Sequence, residues 1–211
     1  MKIIVFGATG GTGKEIVRQA IEQDHTVTAF VRNPDAFTPQ ENLRIVQGDI
    51  FDETQVAEAI DGNRAVLCAL GARTLKREAI LARALPNILR GMEKYYVERL
   101  ITLGAAGSYF PSGKYQTGWR NILMAVIKNT FLRHPFADQA AQEKLLLQSA
   151  VDYTIVRPPR LIDRSEAGDV RVLPDGLPSG GHQISRSDVA DFMLQQLTDP
   201  RFHRQGVYIS Y

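Results

Sequence analysis

The sequence predicts an α/β fold built on a doubly wound parallel sheet. Three observations predict it. Short apolar, β-branched runs alternate with helical patterns through the first half of the chain, the mark of repeated βα units. A glycine-rich turn, Gly7-Ala8-Thr9-Gly10-Gly11-Thr12-Gly13, joins the first such run directly to the first helical pattern. The run Arg64–Leu70 is nearly all apolar, as a strand covered on both faces should be.

The elements follow in order. Lys2–Phe6 reads as the first strand, bounded by glycine. Residues 12–23 put Ile16, Val17, Ala20 and Ile21 on one helical face. Thr26–Val31 and Leu43–Gln47 are the second and third strands. Glu53–Ile60 is a short helix stopped by Asp61-Gly62, and Arg64–Leu70 is the fourth strand. Ile80, Leu81, Ala84, Leu85, Ile88, Leu89 and Met92 mark one side of a helix that contains Pro86. A proline lacks the N–H donor, so a kink or restart is expected there. Arg99–Leu103 is the fifth strand. Residues 118–149 look helical, with an interruption near His134-Pro135. Tyr153–Arg157 is the sixth strand, stopped by Pro158-Pro159. Ser185-Arg186-Ser187-Asp188 fits a capping box for a helix running to about Leu197. Val207–Ser210 closes the series, and Pro174–Gly181 reads as a surface loop.

Bulk properties narrow the function. With 211 residues, one domain spanning 1–211 is expected. The chain is 44% hydrophobic and 23% charged, with a net charge of +2. That charge is too small to argue for nucleic acid or a membrane surface. No apolar run approaches the ~18–20 residues of a membrane span, and the N-terminus lacks the features of a signal peptide. A cytoplasmic protein is therefore expected. The single cysteine, Cys68, lies in an apolar strand and reads as a small buried hydrophobe. His25, His134, His182 and His203 show no metal-ligand spacing.

The glycine turn carries the strongest chemistry. Gly7, Gly10 and Gly13 sit between a strand and a helix, which is the setting of the Rossmann fold. There the first glycine permits the tight turn, the middle one lets backbone N–H groups approach a pyrophosphate, and the last lets the helix pack on the sheet. The helix N-terminus adds free donors and a partial positive charge. Thr9 and Thr12 add hydroxyls. An NAD site usually ends its second strand with an acid that binds the ribose 2′-OH. This strand ends Phe30-Val31-Arg32-Asn33-Pro34. A guanidinium there suits a 2′-phosphate, so NADP(H) is the expected cofactor, although Asp35 is close enough in sequence to pair with Arg32. Asp49, after the third strand, either accepts from the adenine amine or serves as a turn or N-cap aspartate. Gly71 lets backbone lie against a cofactor, and Arg73 faces phosphate, an anionic substrate or solvent.

These motifs, with Glu143-Lys144-Leu145-Leu146, Ser149 and Tyr153-Thr154-Ile155-Val156-Arg157-Pro158-Pro159, resemble the atypical short-chain dehydrogenase/reductases with NmrA-like NAD(P)-binding domains. Leu173-Pro174-Asp175-Gly176 and Ile184-Ser185-Arg186-Ser187-Asp188-Val189-Ala190-Asp191-Phe192-Met193-Leu194 bring the resemblance nearest to the biliverdin-IXβ reductase, or NADPH-dependent flavin reductase, group. The resemblance implies a monomer that passes hydride from NADPH to flavins and linear tetrapyrroles. It carries cofactor roles to Gly7, Thr9, Gly10, Gly11, Thr12, Gly13, Arg32, Asp49, Leu70, Gly71 and Arg73. Asn33, Ile50, Leu103 and Gly104 complete that candidate set, with Pro158 and Pro159 on the nicotinamide side. Candidate substrate contacts are Arg73, Ala105, Tyr115, Trp119 and Arg160.

Two departures from the group stand out. Alanine, most simply Ala105, replaces a serine expected after the fifth strand, with Ser108 close by. Arg160 replaces a histidine after the paired prolines. A segment around 107–140 is longer by roughly a dozen residues and is expected to shape the pocket.

The usual catalytic pair is missing. A Tyr-x-x-x-Lys pair lets the lysine lower the tyrosine pKa for proton exchange. Tyr95 leads instead to Arg99, Tyr109 to Gly113 and Tyr115 to Trp119. No catalytic residue is assigned. Conjugated acceptors such as flavins, quinones and bilins need only positioning and exclusion of water. Arg73 and Arg160 are candidates to pair with their phosphate or propionate groups. Tyr115 and Trp119 either stack on the acceptor or pack. The missing tyrosine also fits a non-catalytic NADP(H)-binding regulator or an assembly factor.

Overall fold

Lys2–Phe6 forms β1, and its alternation sets up both faces of the sheet. Ile3 and Val5 point to one side, Ile4 and Phe6 to the other, and all four are fully buried. Taking such side chains out of water contributes about 1.5–3 kcal/mol each. The computed structural model describes residues 1–71, 79–106, 133–164 and 167–211. Around β1 lie β2 (Thr26–Val31), β3 (Leu43–Gln47), β4 (Ala65–Cys68), β5 (Arg99–Leu103) and β6 (Asp152–Arg157). Three shorter strands follow, β7 (Arg160–Ile162), β8 (Arg171–Leu173) and β9 (Gln183–Ser185), and then β10 (Gln205–Ser210). The main sheet has the order β3-β2-β1-β4-β5-β6-β10-β8, and β7 pairs with β9 in a separate ribbon. Neighbours are parallel except β8, which runs antiparallel to β10. β1 pairs with β2 on one side and β4 on the other, Ile3 facing both Val27 and Ala65. Strand order therefore reverses at β1, and a crevice opens beyond the strands' C-terminal ends.

Five α-helices among the described residues cover the two faces. α1 (Gly11–Glu22) and the last helix, α5 (Arg186–Gln195), share one core with Ile16, Val17, Val189 and Met193. α2 (Glu53–Ile60), α3 (Ile80–Lys94) and α4 (Arg133–Gln148) share the other with Val56, Ile60, Leu85, Ile88 and Leu146. Gly91 lets α3 lie close on α2, since a Cβ there would come within 2.8 Å of Ile60 Cδ1 and 3.0 Å of Ala57 Cα. Cys68 is buried in this second core, and burial pushes its thiol pKa up, as expected of a packing residue.

The differences from the sequence reading have local causes. The fourth strand is Ala65–Cys68, shorter than Arg64–Leu70; just past it the Ala69 N–H still donates to Phe6 O at 2.9 Å, and the Ala69–Leu70 peptide lies against the glycine turn. α3 runs through Pro86 without restarting; its buried apolar face outweighs one missing hydrogen bond. α4 is described from Arg133 to Gln148, and the part of the expected helix before Arg133 lies outside the described residues. Residues 107–132 of the expected pocket-shaping segment lie outside the described residues. α5 ends at Gln195. β7, β8 and β9 are three residues each, too short to show a period of two. Residues 174–181 form the loop between β8 and β9, as expected.

The box at α5 is only half a capping box. Ser185 Oγ accepts from Asp188 N at 2.9 Å. Asp188 does not reach back to Ser185 N. That N–H donates to Tyr211 Oη, while Asp188 accepts from the Tyr211 hydroxyl and from Gly168 N.

Candidate functional site

The glycine turn is shaped by contacts that leave no room for side chains. Gly7 has φ +76°, and a Cβ there would lie 2.7 Å from the Ala69 carbonyl. A Cβ on Gly13 would lie 2.1 Å from Gly7 O. These two glycines bring β1, β4 and α1 together at one point. Gly10 is the N-cap of α1 and supplies no side-chain cap, and the first turn holds no acidic residue. The backbone donors there are therefore left for a ligand.

A cleft of about 1340 Å³ opens over this turn. Of the sequence candidates, Gly7, Thr9, Gly10, Gly11, Thr12, Arg32, Asp49, Ile50, Leu70, Gly71 and Leu103 line it. They come from the ends of β1, β2, β3, β4 and β5, gathered by the parallel register. Three arginines, Arg32, Arg83 and Arg186, face a single carboxylate, Asp49, among its described lining residues. A cleft with this excess of positive charge attracts phosphates. No ion pair joins Arg32 to Asp35 among the described residues. The Asp35 N–H is instead held by Asn33 Oδ1 at 3.1 Å. Asp49 lines the cleft and is also a turn aspartate, its Oδ1 accepting from Phe51 N at 3.0 Å. Asn87 Nδ2 donates to Ile50 O at 3.1 Å and fixes that wall.

The other candidates sit elsewhere. Gly13 is buried beneath the turn. Asn33 caps the 3-10 turn Pro34–Ala36. Gly104 is pressed against Ile155, with its N–H bonded to Val156 O at 2.7 Å. Pro158 is buried, and its carbonyl accepts from Ala106 N at 2.9 Å, which ties Ala105 and the end of β5 to the Pro158-Pro159 corner. Arg160 is exposed and does not line the cleft. Its neighbour Leu161 does, and alternation along β7 turns adjacent side chains to opposite faces. Arg73, Ser108, Tyr115 and Trp119 lie outside the described residues.

Several lining residues escaped the sequence reading. Phe51 presents its ring to the cleft with the Arg83 guanidinium 4.0 Å above its centroid. Gln47 and Gln55 line the β3 end; Gln55 Oε1 accepts from Asp49 N. Arg186 comes from α5. Its position one residue after the capping serine was legible, but its distant partner was not. Among the described residues no group of three or more His, Cys, Asp or Glu is placed to hold a metal. No helix among them is long and apolar enough to cross a membrane.

Comparison with known proteins identifies the chain's family. A family model described as NAD(P)H-binding matches residues 7–200. An uncharacterised chloroplastic protein of Arabidopsis thaliana is 31% identical over 93% of this chain and 71% of its own length. The photosystem II assembly factor Ycf39 of Synechocystis is 29% identical over 74% of this chain, which spans only 44% of that protein. Among solved structures, a short-chain dehydrogenase/reductase of Veillonella parvula in complex with NADP superposes with TM-score 0.82 at 18% identity. It covers 100% of this chain and 94% of its own. The anaerobillin reductase ChuY of Escherichia coli O157:H7 gives 0.80 at 22% identity, over 100% and 97%. At such identities the structural likeness shows the Rossmann fold.

Proposed function

The chain belongs to the NAD(P)H-binding family, and from that premise we propose that it is an NADPH-dependent reductase of a conjugated acceptor, a flavin such as FMN or a linear tetrapyrrole such as biliverdin. The observation that carries the reading is the cleft itself. Uncapped donors at the α1 N-terminus lie between three arginines, one of them at the β2 tip where an NAD site would carry an acid.

The residues present fit a dinucleotide. Gly11 and Thr12 offer backbone donors to the pyrophosphate, while the Gly10 N–H closes the turn on Gly7 O at 3.0 Å; Arg32 pairs with the 2′-phosphate, and Asp49, Ile50 and Phe51 bound the adenine. Leu70, Gly71 and Leu103 continue the wall toward Ala105 and the Pro158-Pro159 corner. When bound, NADPH supplies the hydride. The chain's own part is to hold two rings together and keep water from between them. Proton exchange by a tyrosine–lysine pair is not part of the reading, because no tyrosine has lysine four residues on. Protons reach a reduced flavin or bilin from solvent. The likeness to an anaerobillin reductase supports the bilin half of the reading. The protein is proposed to act as a monomer of one domain on a small molecule, in the cytoplasm, with the segment around 107–140 shaping the acceptor side.

The test is to mix the protein with NADPH and FMN, or biliverdin, and follow the loss of nicotinamide absorbance. Steady turnover is expected. Arg32→Ala should weaken NADPH binding by about 10- to 100-fold and leave NADH binding within a few-fold. Tighter NADH than NADPH binding by the wild type would refute the cofactor preference. The relation to Ycf39 favours a second reading, an NADP(H)-binding assembly factor or regulator. Tight NADPH binding with no turnover of either acceptor would select it.

A further inference from the structure

Arg186 is the first residue of α5, and its side chain lies over the glycine turn at the other end of the chain. A Cβ on Gly11 would meet Arg186 Cδ and Nε at 2.6 Å. Gly11 lies outside the Gly7, Gly10, Gly13 spacing. The contact explains its identity, because the space a side chain would take is filled by an arginine. Neighbouring contacts anchor the start of α5. Ser185 caps the helix just before it. Gln19 Nε2, from α1, donates to Ser187 O at 3.0 Å and to Ser187 Oγ at 2.9 Å. The last turn of α1 and the first turn of α5 are thus lashed together, and the Arg186 side chain falls on the cleft side.

Arg186 Nη1 donates to Asp163 Oδ1 at 2.7 Å. Asp163 is 89% exposed, and ion pairs to such carboxylates are weak. One N–H engages that partner, and a guanidinium carries five in a planar fork. Asp163 therefore steadies the group without consuming it. Two other arginines reach the cleft, but Arg32 stands at the β2 tip and Arg83 on Phe51. Arg186 is the one seated on the turn.

We propose that Arg186 is a pyrophosphate-binding residue, acting beside the α1 backbone donors from its seat against Gly11. The proposal rests on the reading that this cleft holds NAD(P)H and adds the residue that grips the part common to both dinucleotides. Charge-assisted, forked hydrogen bonds to phosphate are the strong class. Arg186 serves the pyrophosphate and Arg32 the 2′-phosphate, so the two have separable signatures.

The experiment is calorimetric titration of the full chain with NADPH, NADH and adenosine 2′-phosphate, for wild type, Arg186→Ala and Arg186→Lys, with thermal unfolding of each as the check on folding. Arg186→Ala should weaken NADPH and NADH alike, by about 10- to 100-fold, and leave adenosine 2′-phosphate unchanged. Arg186→Lys, which keeps the charge and loses the fork, should recover part of the affinity and serves should the alanine variant fail to fold. Gly11→Ala should displace the arginine, weakening NADPH binding in the wild type and much less in the Arg186→Ala background. Wild-type NADPH affinity in Arg186→Ala would overturn the proposal. So would an equal loss for adenosine 2′-phosphate, or a loss confined to NADPH with NADH binding unchanged. Failure of the wild type to bind either dinucleotide would instead refute the cofactor reading, a result distinct from those.

Discussion

Replacing Asp138 should loosen the cleft from a distance. This residue is on α4 and is buried, yet its carboxylate serves α3: Oδ2 accepts from Leu81 N at 2.9 Å and Oδ1 from Ala82 N at 2.8 Å. α3 needs the help. Its N-cap is Ala79, which offers no side-chain acceptor, so the first-turn donors of α3 are capped from another helix. Each bond to a charged acceptor contributes about 1.5–3 kcal/mol. Ala82 N is only partly buried, so water can replace its lost partner, which argues for the low end of the sum. Asp138→Ala should therefore destabilise by about 3 kcal/mol, which for a chain this size lowers Tm by about 6–12 °C. Asp138→Asn keeps one acceptor oxygen and should cost about half as much. Urea unfolding measures both, with the slope unchanged if only the cap is lost. Ile80 and Arg83 line the cleft on that same turn, so NADPH binding should weaken in parallel. An Asp138→Ala midpoint equal to the wild type's would refute the reasoning. So would an asparagine variant as unstable as the alanine one.

Two further outcomes are expected. Gly13→Ala forces a Cβ to 2.1 Å from a backbone carbonyl that cannot yield; soluble expression and NADPH binding should both fail. Gly71→Ala meets nothing within 4 Å among the described residues, and its stability should stay within about 0.5 kcal/mol of wild type. A well-folded, binding-competent Gly13→Ala would refute the account of the turn. Asp199 should titrate below the ordinary aspartate value, because hydrogen bonds from the Arg201 side chain and backbone hold its pKa down from 3.8 to about 2. Its folded pKa is depressed, so the stability it adds is present above about pH 4 and is lost as pH falls toward 2. NMR titration of the Asp199 carboxyl checks the value, and Arg201→Ala should return it to the ordinary range.

What the sequence determined by itself is what neighbouring residues decide. Alternation in Lys2–Phe6 assigns each side chain to a face without reference to the rest of the chain. The glycine turn needs its conformation within seven residues, and Arg32 sits at a strand tip whatever packs beside it. The fold, the cofactor class and most of the candidates that line the cleft followed from such local features. The tertiary structure alone decided the rest. α3 is capped by Asp138, some 57 positions away. Arg186 lies on Gly11 because Gln19 grips Ser187, 168 positions away. Arg160 faces away from the cleft because three-residue β7 pairs with β9 and turns Leu161 inward. Each depends on which surfaces meet after the chain has folded, and a pattern read within one segment holds no record of its distant partner. The cleft's floor was therefore legible in the sequence, while the side chains that close over it were set by packing.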